Sequence, residues 1–230
     1  MKWLSDFVGL FYPRACSVCG ATLVGDEHEI CTSCLLQLPE AISVPLPDNF
    51  VEKRFYGRIP LAHATSLLIF SRKSNAQRIL HQIKYAGDEP LARSMGRMLG
   101  NRLAASHLFD DVDLLIPVPL HPRKERQRGY NQSLLLCEGI TQTFPRKICS
   151  GILIRQRHTD TQTHKNRQQR LENMNGVFTV TNPAVLEDKH VLLVDDVITT
   201  GATTEACCSA LQTVRGIVIS IASLAVAGDT

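Results

Sequence analysis

The chain has 230 residues, 44% of them apolar and 20% charged, and carries a formal net charge of +3. That length buries one good core and leaves room for a small appendage, in a composition typical of a soluble globular protein. The net charge is too small to demand nucleic acid by itself, and no run of about 18 apolar residues is present to form a transmembrane helix.

The first thirteen residues superficially resemble a signal peptide, but Asp6 interrupts the apolar stretch and no small-residue cleavage site precedes the cysteines. Trp3, Leu4, Phe7, Val8, Leu10 and Phe11 instead fit a short amphipathic helix packed against the body, in a cytoplasmic protein. Cys16-Ser-Val-Cys19 follows, then Cys31-Thr-Ser-Cys34 after a short polar hairpin. Two CxxC pairs supply the four thiolates of a structural zinc site, and metal would provide the folding energy that so small a hairpin lacks. The competing explanations are disulfides, which a reducing compartment disfavours, and a redox CxxC, which usually comes as one pair within a βαβ pattern. Cys137, Cys149, Cys207 and Cys208 are scattered, and the helical ones read as small buried hydrophobes. Pro39, Pro45 and Pro47 mark a boundary, dividing a zinc module over residues 1–45 from an α/β domain over residues 46–230.

Beyond the boundary, residues 64–70 read as a strand, 76–83 as a helix and 84–88 as a turn. Leu91, Met95, Met98, Leu99 and Leu103 mark an amphipathic helix. Residues 113–119 form an apolar strand ending in proline, 131–144 a helix and 152–155 a strand. Two basic segments lack apolar periodicity and read as long loops of the functional kind. The first, residues 121–132, holds Arg123, Lys124, Arg126, Arg128 and Tyr130. The second, residues 155–170, holds Arg157, Lys165 and Arg167. Their cations suit a pyrophosphate or a nucleic-acid backbone, with solvated surface charge as the plain alternative. Final strands are expected at 191–194 and 217–227. Strands alternating with helices imply a parallel α/β sheet.

Residues 191–204, Val-Leu-Leu-Val-Asp-Asp-Val-Ile-Thr-Thr-Gly-Ala-Thr-Thr, say most about chemistry. An apolar strand ends in two carboxylates, followed by a small hydroxyl-rich loop and then Ala206, Ala210, Leu211 and Val214 at helical spacing. Unpaired N–H groups at a helix start attract phosphate, and a glycine lets the backbone come close to it. Asp195 and Asp196, acceptor-only when ionised, suit the hydroxyls of a sugar. A phosphate and a vicinal diol together describe a ribose 5-phosphate. The bland alternative is that Thr203 merely caps a helix and the aspartates end a solvated strand.

The segment resembles the phosphoribosyl-pyrophosphate (PRPP) motif of type I phosphoribosyltransferases. By that resemblance Asp195 and Asp196 hold the ribose 2′ and 3′ hydroxyls, and Thr199, Thr200, Gly201, Ala202, Thr203 and Thr204 cradle the 5-phosphate. Magnesium arrives with the pyrophosphate. The CxxC pairs, the Pro-Val-Pro strand end, Arg128-Gly-Tyr-Asn-Gln132, residues 163–173, Asn175-Gly-Val-Phe178 and the DDVITTG loop occur in order. In combination they resemble the ComF family of competence-associated, phosphoribosyltransferase-like proteins. The resemblance implies a phosphoribosyltransferase-like domain behind a four-cysteine zinc module (Cys16, Cys19, Cys31, Cys34), and a part in the use of external DNA, in the cytoplasm, on incoming single strands. It names no base acceptor. Three readings follow. One is an active phosphoribosyltransferase, with Arg123, Lys124, Arg126 or Arg128 neutralising pyrophosphate. Another is a DNA-handling protein whose basic loops track a single strand while Tyr130 stacks on bases. The last is an interaction module for a helicase or uptake component.

Overall fold

The computed structural model describes residues 14–41, 45–155 and 177–228. The expected N-terminal helix and nearly all of the second basic segment lie outside them. Five strands form one parallel sheet in the order β1-β7-β6-β2-β3: β1 Ala64–Phe70, β2 Leu114–Pro117, β3 Lys147–Ile148, β6 His190–Ile198 and β7 Val218–Ala227. β4 (Leu153–Arg155) and β5 (Phe178–Val180) form a separate antiparallel pair. The strand expected at 152–155 is therefore real but does not join the main sheet. The short β3 and β5 lack an apolar run long enough to be noticed in the sequence.

β6 is central, and side chains alternate across it. Val191 and Leu193 pack into one hydrophobic cluster with Ile221, Cys207, Cys208 and Leu211, the last three from α7 (Ala202–Leu211). Leu192 and Val194 pack into a second cluster on the opposite face. Its helices are α3 (Asn75–His81), α4 (Glu89–Ala104) and α6 (Gln132–Ile140). Burial on both faces explains why β6 and β7 read as nearly continuous apolar runs. The parallel α/β architecture is as the alternation of elements implies.

The cysteine hairpin joins the second cluster rather than standing apart. Cys16, Val18, Leu23, Cys31, Cys34 and Leu38 share it with Met95 and Leu99. α1 (Thr32–Leu36) starts directly after Cys31. Residues 39–41 then run antiparallel beside β1, with the Ile69 N–H donating to the Pro39 carbonyl at 2.6 Å and the Ala41 N–H to Leu67 at 3.0 Å. This covers an edge that would otherwise present unpaired donors and acceptors.

Two local readings are corrected. Residues 82–86, expected in part as a turn, continue α3 as one turn of π-helix, ended by Gly87 at φ 76°. Such turns recur at functional sites. The first basic segment is not a loop: Pro122–Arg128 is helix α5. The His121 ring nitrogen accepts from the Arg123 N–H at 3.2 Å, Pro122 occupies the first turn, and Gly129 at φ 84° closes the helix. α5 buries no residue, so it has no apolar stripe for periodicity to reveal, and its caps carry the signal.

Candidate functional site

β6 delivers Asp195 and Asp196 to the carboxyl edge of the sheet, where open α/β folds bind ligands. Being consecutive in a strand, they point to opposite faces. Asp195 is buried on the α7 side, where its Oδ2 accepts from the Thr204 hydroxyl at 3.4 Å and its Oδ1 from the Asp196 N–H at 2.8 Å. Asp196 faces the other way and pairs with Lys84 Nζ at 3.0 Å. Burial, and then the neighbouring Asp196 charge, push the Asp195 carboxyl up to about 7.

The loop after β6 turns at Gly201, whose φ of 80° lies in the left-handed region. A Cβ there would sit 2.8 Å from Phe55 Cε1, so both the conformation and the space require glycine. Thr199, Thr200 and Thr203 are exposed, while Thr204 is buried and its hydroxyl is engaged by Asp195. Thr200 Oγ1 accepts from the Ala202 N–H at 3.4 Å. Among the described residues, the Thr200 and Gly201 N–H groups have no acceptor, and α7 adds the open donors of its first turn.

α5 rises beside this edge. Arg123, Lys124 and Arg126 are exposed; Arg128 is half-buried, donating to Gln132 Oε1 at 2.8 Å, with its guanidinium 5.4 Å from the Tyr85 ring centre. Between α5 and the π-turn lies a cleft of about 380 Å³, whose walls include Lys84, Tyr85, Lys124 and Arg128. Tyr130 is half-buried and its hydroxyl donates to the Ile83 carbonyl. The accessible ring here is Tyr85, 69% exposed. In the sequence residues 84–88 read only as a turn, without a functional signal, because Lys84 meets Asp196 only through the fold.

The four N-terminal cysteines converge. Their Sγ atoms lie within 4.8 Å of one another, and those of Cys19 and Cys31 are 3.7 Å apart. A tetrahedral zinc site with Zn–S of about 2.3 Å has S···S edges of about 3.8 Å, so the donor set fits that metal. Burial alone would raise the Cys16 thiol, but N–H groups of Cys31, Cys19 and Val18 outweigh it and hold its pKa at about 6. Among those donors the Cys31 N–H lies 3.3 Å and the Val18 N–H 3.4 Å from the sulfur. Cys137, Cys207 and Cys208 are fully buried, and burial pushes their thiols up, as expected of inert core residues.

The family described as a phosphoribosyl transferase domain matches residues 133–230. "Competence protein F" of Haemophilus influenzae is 30% identical over 190 residues, covering 82% of this chain and 74% of that protein. "DNA utilization protein YhgH" of Escherichia coli (strain K12) is 32% identical over 130 residues, 54% of this chain. The chain spans only a little over half the length (56%) of this and the other YhgH relatives it matches. A solved glutamine phosphoribosylpyrophosphate amidotransferase from B. subtilis aligns with a TM-score of 0.38 and 21% identity, over 56% of this chain and 26% of its own. No helix among the described residues is long and apolar enough to cross a membrane.

Proposed function

This chain belongs to the ComF family of competence-associated, phosphoribosyltransferase-like proteins, and we propose that its residues 195–204 bind PRPP or another ribose 5-phosphate in support of the use of extracellular DNA. The observation that carries the reading is the juxtaposition at the end of β6. Only a short loop separates two adjacent carboxylates from two N–H groups that have no acceptor among the described residues, and α7 begins behind them. The carboxylates accept from the ribose hydroxyls, while the loop donates to the 5-phosphate.

In this reading magnesium enters with the pyrophosphate, and Lys84 exchanges its pairing with Asp196 as the diol arrives. Lys124 and Arg128 line the cleft shared with Lys84, and with Arg123 and Arg126 they are assigned to balance a pyrophosphate or the phosphates of a single strand. Zinc at Cys16, Cys19, Cys31 and Cys34 is structural, all four of its positions being filled by protein. The protein acts in the cytoplasm in this reading, with a helicase or uptake component as its partner; the likeness to a competence protein and a DNA utilization protein supports the part in DNA use. Transfer to an acceptor would need a base pocket beyond these residues.

Calorimetric titration with PRPP and magnesium tests the reading. The intact protein should bind in a magnesium-dependent manner, and Asp195→Asn combined with Asp196→Asn should weaken binding by at least about tenfold. No magnesium-dependent heat from the intact protein would sink it. Single-stranded DNA binding measured against salt tests the second role. Phosphate contacts from α5 predict affinity falling steeply with ionic strength, and a flat response removes that role.

A further inference from the structure

We propose that Arg54 and Arg58 are positioning residues of the phosphate loop: they fix two of its peptide planes so that the Thr200 and Gly201 N–H groups face the ligand. The inference rests on the ribose 5-phosphate reading and adds residues that none of the site motifs contains. Both arginines come from the segment around α2 (Phe50–Lys53), more than 140 positions upstream of the loop and outside the matched domain.

Arg54 Nη1 donates to the Thr199 carbonyl at 2.7 Å, while Nη2 donates to the Ala227 carbonyl at 2.7 Å, tying the loop after β6 to the end of β7. Arg58 Nη1 donates to the Thr200 carbonyl at 3.0 Å, and its Nη2 pairs with the Glu205 carboxylate in the first turn of α7. Successive carbonyls of the loop are thus each held by a guanidinium.

A trans peptide is planar, and its C=O and N–H point in opposite directions. Holding the Thr199 carbonyl back therefore turns the Thr200 N–H away from Arg54, and holding the Thr200 carbonyl turns the Gly201 N–H away from Arg58. Neither of these N–H groups has an acceptor among the described residues. Without the pins, glycine's freedom lets the Thr200–Gly201 plane rotate, which would present a carbonyl to an incoming anion. Phe55, between the two arginines in sequence, fills the space beneath Gly201 and supports the same loop from below. Fixing the donors beforehand saves ordering cost on binding, and the cations behind the loop add to its attraction for phosphate.

The test combines titration with amide spectroscopy, using ribose 5-phosphate and magnesium PRPP as probes on the full chain. In the wild type, the Thr200 and Gly201 amide protons should move downfield on saturation. Arg58→Ala and Arg54→Ala should each weaken both probes about tenfold, with those amide shifts reduced at saturation. Arg58→Lys keeps a cation that can reach the Thr200 carbonyl and should recover most of the affinity. General loosening of the fold would move many amides and would not single out these two. Should Arg54→Ala fold poorly, Arg58→Ala, whose side chain is 36% exposed, decides the matter. Wild-type protein that binds while its two amides stay still, or arginine variants that bind like the wild type, overturns the inference alone. Wild-type protein that binds neither probe overturns the ribose 5-phosphate reading and the inference together.

Discussion

At the residue scale, adjacency in sequence and adjacency in chemistry part company. Asp195 and Asp196 look like one acidic unit, yet strand geometry sends one toward Thr204 and the other toward Lys84. Their environments differ accordingly: Asp196 has a cation, whereas Asp195 is buried with its carboxyl raised to about 7. A carboxyl raised above its unfolded value binds protons more tightly in the folded state. Its contribution to stability is therefore complete below about pH 4 and is lost as pH rises through about 7. Asp195→Asn should accordingly be more stable than wild type at pH 8, by on the order of 4 kcal/mol, with the advantage shrinking as pH falls and nearly gone by about pH 4. Thermal melts at the two pH values check this; equal differences at both would show that ionisation of Asp195 is not what matters. Stability given up at this residue is consistent with a group kept for binding rather than for folding.

At the element scale, the helices over the second cluster meet backbone to backbone. A Cβ at Gly139 in α6 would lie 2.1 Å from the Arg93 carbonyl oxygen in α4, and one at Gly96 would lie 2.3 Å from the Leu136 carbonyl oxygen. These contacts set how closely α4 and α6 cross, and α6 in turn leads back to the site. The Asn131 side chain both caps α6 and donates to the Val118 carbonyl at 3.1 Å, just past β2. Gly139→Ala should cost about 2–3 kcal/mol, since rigid backbone rather than a flexible side chain must yield. In a chain of this size that lowers the melting temperature by roughly 5–10 °C. An unchanged melt would mean that the helices separate cheaply. The amphipathic spacing of Leu91, Met95, Met98, Leu99 and Leu103 makes α4 legible; four of them are buried and Met98 packs partly buried against the same cluster. Nothing in their spacing says that Gly96 and Gly139 touch, because that contact joins two helices.

At the scale of the whole molecule, the cysteine hairpin braces the body instead of forming a separate bead. It shares the core with α4, Ser17 Oγ donates to Asp88 Oδ2 at 2.5 Å, and the chain leaving it covers the edge of β1. Metal removal should therefore be felt beyond the hairpin. Protein purified without chelator should carry about one zinc per chain, and stripping it should lower the melting temperature of the α/β body as well. Substoichiometric metal, or a body melt indifferent to chelation, would contradict this arrangement.

Fold class, the central strand with its carboxylates and loop, and the zinc-type cysteines can all be read from the amino-acid order. Each is encoded locally, in apolar runs, in the spacing of CxxC pairs and in a loop whose glycine must take a positive φ. The remaining features depend on how the folded chain brings distant segments together. Folding placed Lys84 on Asp196 and set Arg54 and Arg58 behind Thr199 and Thr200. These are pairings between residues far apart in the chain. Period and composition report only which face of a segment is buried; they do not report what it is buried against.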